Sequence, residues 1–492
     1  MNQLSSANTN INQTTPNNHY TIIMKANKYI AGFLALFAVQ SASALTFEIT
    51  GATAFRRATI ESVFKLYDLA TGNPVFRYVA NNATYYNSDF ITFEGTVDGL
   101  PGTTIIRCSF NGSIEGLRAL AQPGTSGATS NGDAYYFKTS ALSATAVAAG
   151  AGTVISASVA SPSSTPELER AEAEMAFSDT DVAISPYFAA ALTGSSPGAI
   201  VFAVCSSDSS GITNVTAQQY NSLLTSGYLP KSFFTGNTAD TSKVFCIGRN
   251  DGSGTRSSYL AEMGYGVSNP VNQYLVISRT STNTSTGTTT AIQTVPAGGV
   301  NDTDPVTAGV QLPADLQAWV TAGNTVTQGT ANASVVWGQD QNGNGGASSG
   351  SALTLTLAQT GPSVRVFDGN GANMFGGTPQ TNISTVTWIS VNDAITARTG
   401  GANLCSFNGV ALDLTGNVMT SADQAKVTNG AYSAWNFQQF YYKDGASTET
   451  VDLYNSLFTL IESGSLGVAG IKNSSFNIGR SEDGGVINPF DS

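Results

Sequence analysis

Charge is scarce in this sequence. Of 492 residues only 11% are Asp, Glu, Lys or Arg, less than half the usual share. The shortage falls hardest on cations: 21 Lys and Arg against 33 Asp and Glu give a net charge of −12. Such a chain has no electrostatic footprint for nucleic acid or an anionic membrane. Histidine is scarcer still, because the single one, His19, lies in a segment read below as a leader. Its loss removes the usual general base, the usual zinc ligand and every Ser-His-Asp or Cys-His arrangement, so no enzyme is expected. The four cysteines, Cys108, Cys205, Cys246 and Cys405, lack metal-ligand spacing, and neither a metal nor a cofactor is expected.

What the chain does have is 41% hydrophobic residues and 51 glycines, with abundant Ser, Thr and Asn. Its surface is solubilised by hydroxyls and amides rather than by charge. The length allows two lobes, each with its own core.

Residues 1–44 read as a leader. Met24, the expected true start, and Lys25 to Lys28 form a short basic region. An apolar run from Tyr29 to Val39, too short to span a bilayer, and the small-residue site Ala42-Ser43-Ala44 complete a signal peptide. No Cys follows, so no lipid anchor is indicated, and a periplasmic or secreted chain beginning near Leu45 is expected. In an oxidising compartment disulfides are possible. Cys205 and Cys246, on two expected strands of one lobe, are the best-placed pair.

Three places repeat one pattern: an apolar strand, a Gly-rich turn and an amphipathic helix. The first runs from Leu45 to Thr50, turns at Gly51-Ala-Thr-Ala54, and continues with Ile60, Val63, Phe64 and Tyr67 on one helical face. The second is Thr104 to Phe110, Asn111-Gly-Ser113, then a helix through Leu117 and Leu120. The third is Lys243 to Gly248, Arg249-Asn-Asp-Gly-Ser-Gly-Thr255, then a helix through Tyr259, Leu260 and Met263. Such units imply an α/β fold with largely parallel sheets. Between them, Ala119 to Pro166 and Asn269 to Asn332 read as insertions.

A helix N-terminus presents unpaired N–H groups and about half a positive charge, and a Gly-rich turn lets an anion approach them. Three such turns meeting at one cleft can cage a tetrahedral oxyanion without net positive charge. In the third turn Arg249 can give paired bonds to an oxyanion, with Asp251 placed to hold the guanidinium.

This turn resembles the R-x-D-G-S-G-T motif of the periplasmic phosphate-binding proteins that serve ABC importers. Other segments fall in that family's order: Ile49-Thr-Gly-Ala-Thr-Ala54, Gly112-Ser113 with Gly116, Ala176-Phe-Ser-Asp179, Asn342-Gly-Asn-Gly-Gly346 and Trp388-Ile-Ser-Val-Asn-Asp393. The resemblance implies a two-lobed, type 2 periplasmic-binding fold whose chain crosses twice between lobes, near Ala199 to Val204 and near Val386 to Val391. Lobe one is then 45–197 plus 388–492, and lobe two is 198–387 with an insertion around 269–332. It also implies phosphate or a similar oxyanion as ligand, an ABC importer as partner, and a monomer. Carried over by position, Thr53, Ala54, Ser113, Asp179, Arg249, Asp251, Ser253, Gly254 and Thr255 surround the anion. In the family the carboxylate matching Asp179 accepts a proton carried by phosphate, which excludes sulfate.

The sequence departs from the family at Ile114-Glu115, where small residues are usual. With Ser113 as N-cap, Glu115 is expected to face solvent. The rival reading is a secreted structural or adhesive protein that keeps the fold without transport, favoured by the polar insertions. Gly346-Ala-Ser-Ser-Gly350 matches a nucleophile elbow but has no histidine to serve it. Asp340, Asn342, Asn344 and Gly345 mimic a calcium loop that lacks its final Glu, and a capping turn is preferred. Glu167 to Glu174 reads as a solvated helix face. The aromatic cluster Tyr432, Trp435, Phe437, Phe440, Tyr441 and Tyr442 reads as packing against lobe one.

Overall fold

The computed structural model describes residues 44–69, 74–78, 85–122, 133–139, 153–154, 167–208, 210–278, 346–347, 349–357, 364–367, 374–375 and 383–489. The leader, Ser348, residues 340–345 and most of both expected insertions lie outside these. The fold is mixed α/β, as the alternating strand-turn-helix pattern predicts.

Strand β1 (Leu45–Gly51) is followed by helix α1 (Arg56–Leu69). Then come β2 (Val75–Tyr78), β3 (Phe90–Thr96) and β4 (Thr103–Ser109), which leads into helix α2 (Ser113–Ala121). After β5 (Thr153–Val154) and β6 (Met175–Ser178), the 15-residue strand β7 (Leu192–Ser206) carries the chain onward. Next are β8 (Tyr228–Pro230), β9 (Lys243–Cys246), helix α3 (Gly254–Glu262), helix α4 (Gly350–Leu357), β10 (Ser384–Ser390) and helix α5 (Val391–Thr399). The last long elements are β11 (Trp435–Lys443) and helix α6 (Thr448–Ser463).

Among the described residues these strands form one sheet in the order β8-β9-β10-β7-β11-β6-β1-β4-β3-β2-β5. β1 pairs in parallel with both β4 and β6, and β9 with β10. Buried on both faces, β4 and β10 are almost continuously apolar or small, as central strands must be. Among the described residues the two largest cores are built mainly on opposite halves of this strand order. One gathers Phe47, Ile49, Ile60, Val63, Tyr67, Ile106 and Phe177 with Phe440, Leu453, Leu457 and Ile461 from the C-terminal part. The other gathers Val201, Val204, Val244, Phe245, Leu260, Trp388, Ala394, Phe407, Tyr432 and Trp435.

Two strands belong to both halves. β7 and β11 pair antiparallel from Val201↔Trp435 to Leu192↔Lys443, with a register shift between Gln438 and Phe440. β7 and β11 are thus the strands that reach from one core to the other. β10 lies between β9 and β7 inside the second half, and residues 391–434 pack in that second core. In sequence a buried central strand and a strand shared between two cores are both short apolar runs. Tyr432 and Trp435 pack in the second core, and only part of the aromatic cluster covers the first. The segment read as a helical face is also different: Leu168–Ala171 is a strand paired with Ala134–Phe137, and Glu169 bonds Arg107. Among the described residues no helix is long and apolar enough to cross a membrane.

All four cysteines are buried and unpaired, so the expected Cys205–Cys246 disulfide is absent. Cys205 pairs across β10 with Thr387, and Cys246 lies on the far side of that strand against Val386. Two strand spacings, about 9.5 Å, exceed the reach of a disulfide. Burial pushes the Cys246 thiol up to about 12 and the Cys405 thiol to about 11, which suppresses the reactive thiolate. Accordingly, all four thiols should react with a thiol reagent only after unfolding, and a reductant should leave the melting temperature unchanged. A reductant-induced drop of several degrees would contradict this arrangement.

Candidate functional site

The three glycine turns meet where the two cores join. Gly51 ends β1 with φ 120°, and the next N–H, that of Ala52, donates to Phe177 O at 2.8 Å. Gly112 N–H donates to Gly51 O at 3.0 Å, joining the second turn to the first. Ile114 N–H then donates to Gly252 O at 3.2 Å, joining the second turn to the third. A Cβ on Gly112, whose φ is 121°, would stand 2.6 Å from Gly252 O. One on Gly254 would stand 2.5 Å from Ser113 Cβ. Only glycine permits this approach.

Four of the expected residues converge here. Ser113, the first residue of α2, accepts the Asp179 N–H on its hydroxyl at 3.0 Å. Asp179 is 4% exposed, and its Oδ1 has no hydrogen-bond partner. Ser253 precedes α3, yet its hydroxyl neither caps the helix nor finds a partner, though it is 1% exposed. Gly254 follows, and its carbonyl accepts from Thr180 Oγ1 at 3.0 Å. Thr255 is buried in the first turn of α3, whereas Thr53 is half-buried and Ala54 exposed, at the margin.

Strand β11 contributes residues that the motifs did not reveal. Asn436 Nδ2 donates to Asp179 O at 3.4 Å and to Ser258 Oγ at 2.5 Å, so it holds one residue from each side of the junction. Gln438 is buried beside Asp179 with its Oε1 unpaired. Asn436 and Gln438 alternate with Trp435 and Phe437, a pattern that marks a two-faced strand without showing what lies against it.

The charges are arranged differently from the sequence expectation. Arg249 is 4% exposed and forms a parallel bridge with Ala347, whose carbonyl accepts from Nε at 3.0 Å. Burial lowers the pKa of Arg249, and Asp393 followed by Asp179 oppose that shift. Asp251, expected to hold Arg249, is governed instead by Arg256: burial pushes its carboxyl up to about 6, the Arg256 charge draws it down and Glu115 pushes it up. The turn of α3 explains the exchange, since it swings Arg256 back until Nη1 donates to Arg249 O at 3.4 Å.

Glu115 is also corrected. It is 2% exposed rather than facing solvent, and it pairs with Arg118 at 2.8 Å. Helix α2 is buried from Ser113 to Leu120, so it offers position 115 no solvent face, and its N-cap is Gly112 rather than Ser113. Among the described residues no group of three or more His, Cys, Asp or Glu is placed to hold a metal ion.

No protein-family model and no curated protein matches this chain. Among solved structures it is similar to a Clostridium perfringens protein described as a phosphate ABC transporter substrate-binding protein, with bound phosphate. Identity is 11% and the TM-score 0.39, over 87% of this chain and 99% of that one. An ABC-type phosphate transport receptor from Vibrio cholerae follows, at 12% identity and TM-score 0.35, over 84% of this chain and 93% of that one. PstS from Borrelia burgdorferi has 10% identity and TM-score 0.35, over 87% and 100%. Likeness at TM-scores below 0.5 carries no weight, and the site is judged on its own residues.

Burial pushes the Asp179 carboxyl from 3.8 up to about 6, against the Ser113 hydroxyl, the Arg249 charge and the Gln438 amide. Asp483, whose Oδ2 accepts the Asp181 N–H at 2.7 Å, is pushed up to about 7 by the same cause. Such carboxyls bind protons more tightly folded than unfolded. The stability they contribute is complete below about pH 4 and is lost as pH rises through about 6 to 7. The ligand-free protein should therefore unfold at higher urea at pH 5 than at pH 7.5. Asp179→Asn should stabilise it at pH 7.5 by about 1–3 kcal/mol. A destabilised Asp179→Asn protein at pH 7.5 would refute this account of the carboxyl.

Proposed function

We propose that this chain is a solute-binding protein that captures phosphate, or a closely similar oxyanion, at the junction of its two cores. The observation that carries the reading is the meeting of three turns around two unpaired, buried polar atoms, Ser253 Oγ and Asp179 Oδ1. A buried hydroxyl and a buried carboxylate oxygen without partners cost about 1–3 kcal/mol each. Monohydrogen phosphate answers both: its oxygens accept from Ser253 and Arg249, and its proton is donated to Asp179. Sulfate has oxygens to offer but no proton, so its approach sets an oxyanion against a bare carboxylate.

The reading is of binding rather than turnover. Beyond His19 the chain has no histidine, and nothing in the proposed site resembles a nucleophile paired with a base. A leader of the kind read in residues 1–44 would carry the protein outside the cytoplasm, where a free solute-binding protein would deliver its anion to an ABC importer. The crossing pair β7 and β11 serves as the hinge of closure.

Titration calorimetry of the chain from Leu45 onward should show one phosphate per chain, with arsenate competing. Sulfate should compete poorly at pH 8 and better as pH falls below about 6, where protonated Asp179 becomes a donor. Arg249→Ala should weaken phosphate by about 2–5 kcal/mol. Absence of phosphate binding, or equal affinity for sulfate at pH 8, would overturn the proposal.

A further inference from the structure

The last described segment of the chain takes no part in the proposed cage, yet it reaches across the junction. Ile478–Arg480 and Ile487–Pro489 pair antiparallel as a short hairpin. Its arms are fastened to the second half. Asn477 N–H donates to Thr428 O at 3.1 Å, and Ile478 joins the second core. Arg480 is the main anchor. Its guanidinium donates to Glu262 at 3.1 Å, to Trp435 O at 3.0 Å and to Ser433 O at 2.9 Å, and lies 4.3 Å from the centre of the Trp435 ring. The turn of the hairpin sits on the end of α3. Gly484, with φ 71°, lies so close that a Cβ there would stand 2.4 Å from Ala261 C.

The residue before that glycine serves the first half. Asp483 is 5% exposed, and its Oδ2 accepts the Asp181 N–H at 2.7 Å, across 302 residues of sequence. Asp181 stands two residues after Asp179. The next N–H, that of Val182, donates to the Tyr441 hydroxyl at 3.2 Å, and Val182 packs with Ile114, Leu117 and Ala176. A side chain anchored on the second core thus holds the backbone that follows Asp179.

This contact differs in kind from the joining by β7 and β11. Those strands run unbroken through the junction and must flex with any movement, whereas a single hydrogen bond can part and re-form. Burial pushes the Asp483 carboxyl up to about 7, so its position is a costly one for a charge. An apolar residue would fill the space without that cost. A carboxyl supplies what an apolar residue cannot, an acceptor for the Asp181 amide.

We infer that the hairpin Ile478–Pro489 is a strap that keeps the two halves closed over the candidate site, with the Asp483–Asp181 bond as its catch. Its part in retaining an anion rests on the function proposed above; its part in closing the junction does not.

Amide hydrogen exchange on the ligand-free protein tests the strap. Ile114 N–H, bonded to Gly252 O across the junction, reports opening, and Cys246 N–H, bonded to Gly227 O inside the second half, is the control. In Asp483→Ala, Ile114 should exchange at least tenfold faster while Cys246 stays within twofold of the parent. Asp483→Asn keeps an acceptor oxygen and should exchange as the parent does. Should the alanine variant fail to fold, Gly484→Ala gives the same reading, because it leaves the carboxyl in place but drives a methyl against α3. Unchanged exchange at Ile114, a matching rise at Cys246, or an asparagine variant as loose as the alanine one overturns the strap. Stopped-flow release of phosphate then reads retention. Asp483→Ala should let the anion go at least fivefold faster, and Asp483→Asn within twofold of the parent. Release at the parent's rate from a protein whose Ile114 amide is loosened overturns the role in retention. A loosened Ile114 in a chain that binds no phosphate leaves the strap intact and overturns the proposed function instead.

Discussion

The junction depends on two backbones lying closer than any side chain would allow. Ile114 N–H reaches Gly252 O only because Gly112 and Gly254 lack a Cβ, and that bond joins a turn from the first core to a turn from the second. Everything at the site follows from this approach. It brings Ser113 onto the Asp179 amide, buries Ser253 and sets the start of α2 beside the start of α3. Replacing either glycine would separate the turns by the width of a methyl group, and the enclosure would open to water. The site is made of main chain first, and the side chains fill what the main chain leaves.

The second constraint is electrostatic. In a chain with so few charges, several buried ones stand at this junction, Arg249, Arg256, Asp179 and the Glu115–Arg118 pair, with the partly buried Asp251 and Asp393 beside them. None is placed as an isolated charge. Each carboxylate has a cation or hydroxyl acting on it. Under the proposed function, this arrangement is what would let an acidic protein enclose an anion. The net charge of the molecule is remote and screened, whereas the ligand would meet oriented donors at contact distance.

Much of this was legible in the sequence, and the failures share a cause. Alternating and continuous apolar runs placed β1, β4 and β9 and the helices behind them, and the glycine-hydroxyl turns marked three of the converging segments. Arg249, Ser113 and Ser253 were singled out by local turn spacing and Asp179 by the family resemblance, and the structure brings Ser113, Asp179 and Ser253 to one junction. What the sequence could not supply was which element lies beside which. The Arg249–Asp251 pairing looked natural at two residues' separation, yet the charges that act most on buried Arg249 are Asp393 and Asp179, both distant in sequence. Glu115 looked solvent-facing because α2 was treated as a surface helix, and its complete burial is a tertiary fact. Cys205 and Cys246 looked pairable until β10 was found between them. Asn436 and Gln438 were missed because a strand far along the chain gives no local hint of what crosses beneath it.

The shared strands also bear on how the molecule comes into being. The first core is built largely from residues 47–177, but it is closed by Phe440 on β11 and by Leu453, Leu457 and Ile461 on α6. During synthesis its apolar surface must wait for the arrival of more than 250 further residues, which form the second core in the meantime. Loop closure over such a span is slow relative to the local folding of the intervening half. The order of assembly is therefore inside out along the chain: the middle consolidates first, and the beginning is completed by the end. A nascent chain of this topology keeps its first core open until its last long elements have emerged.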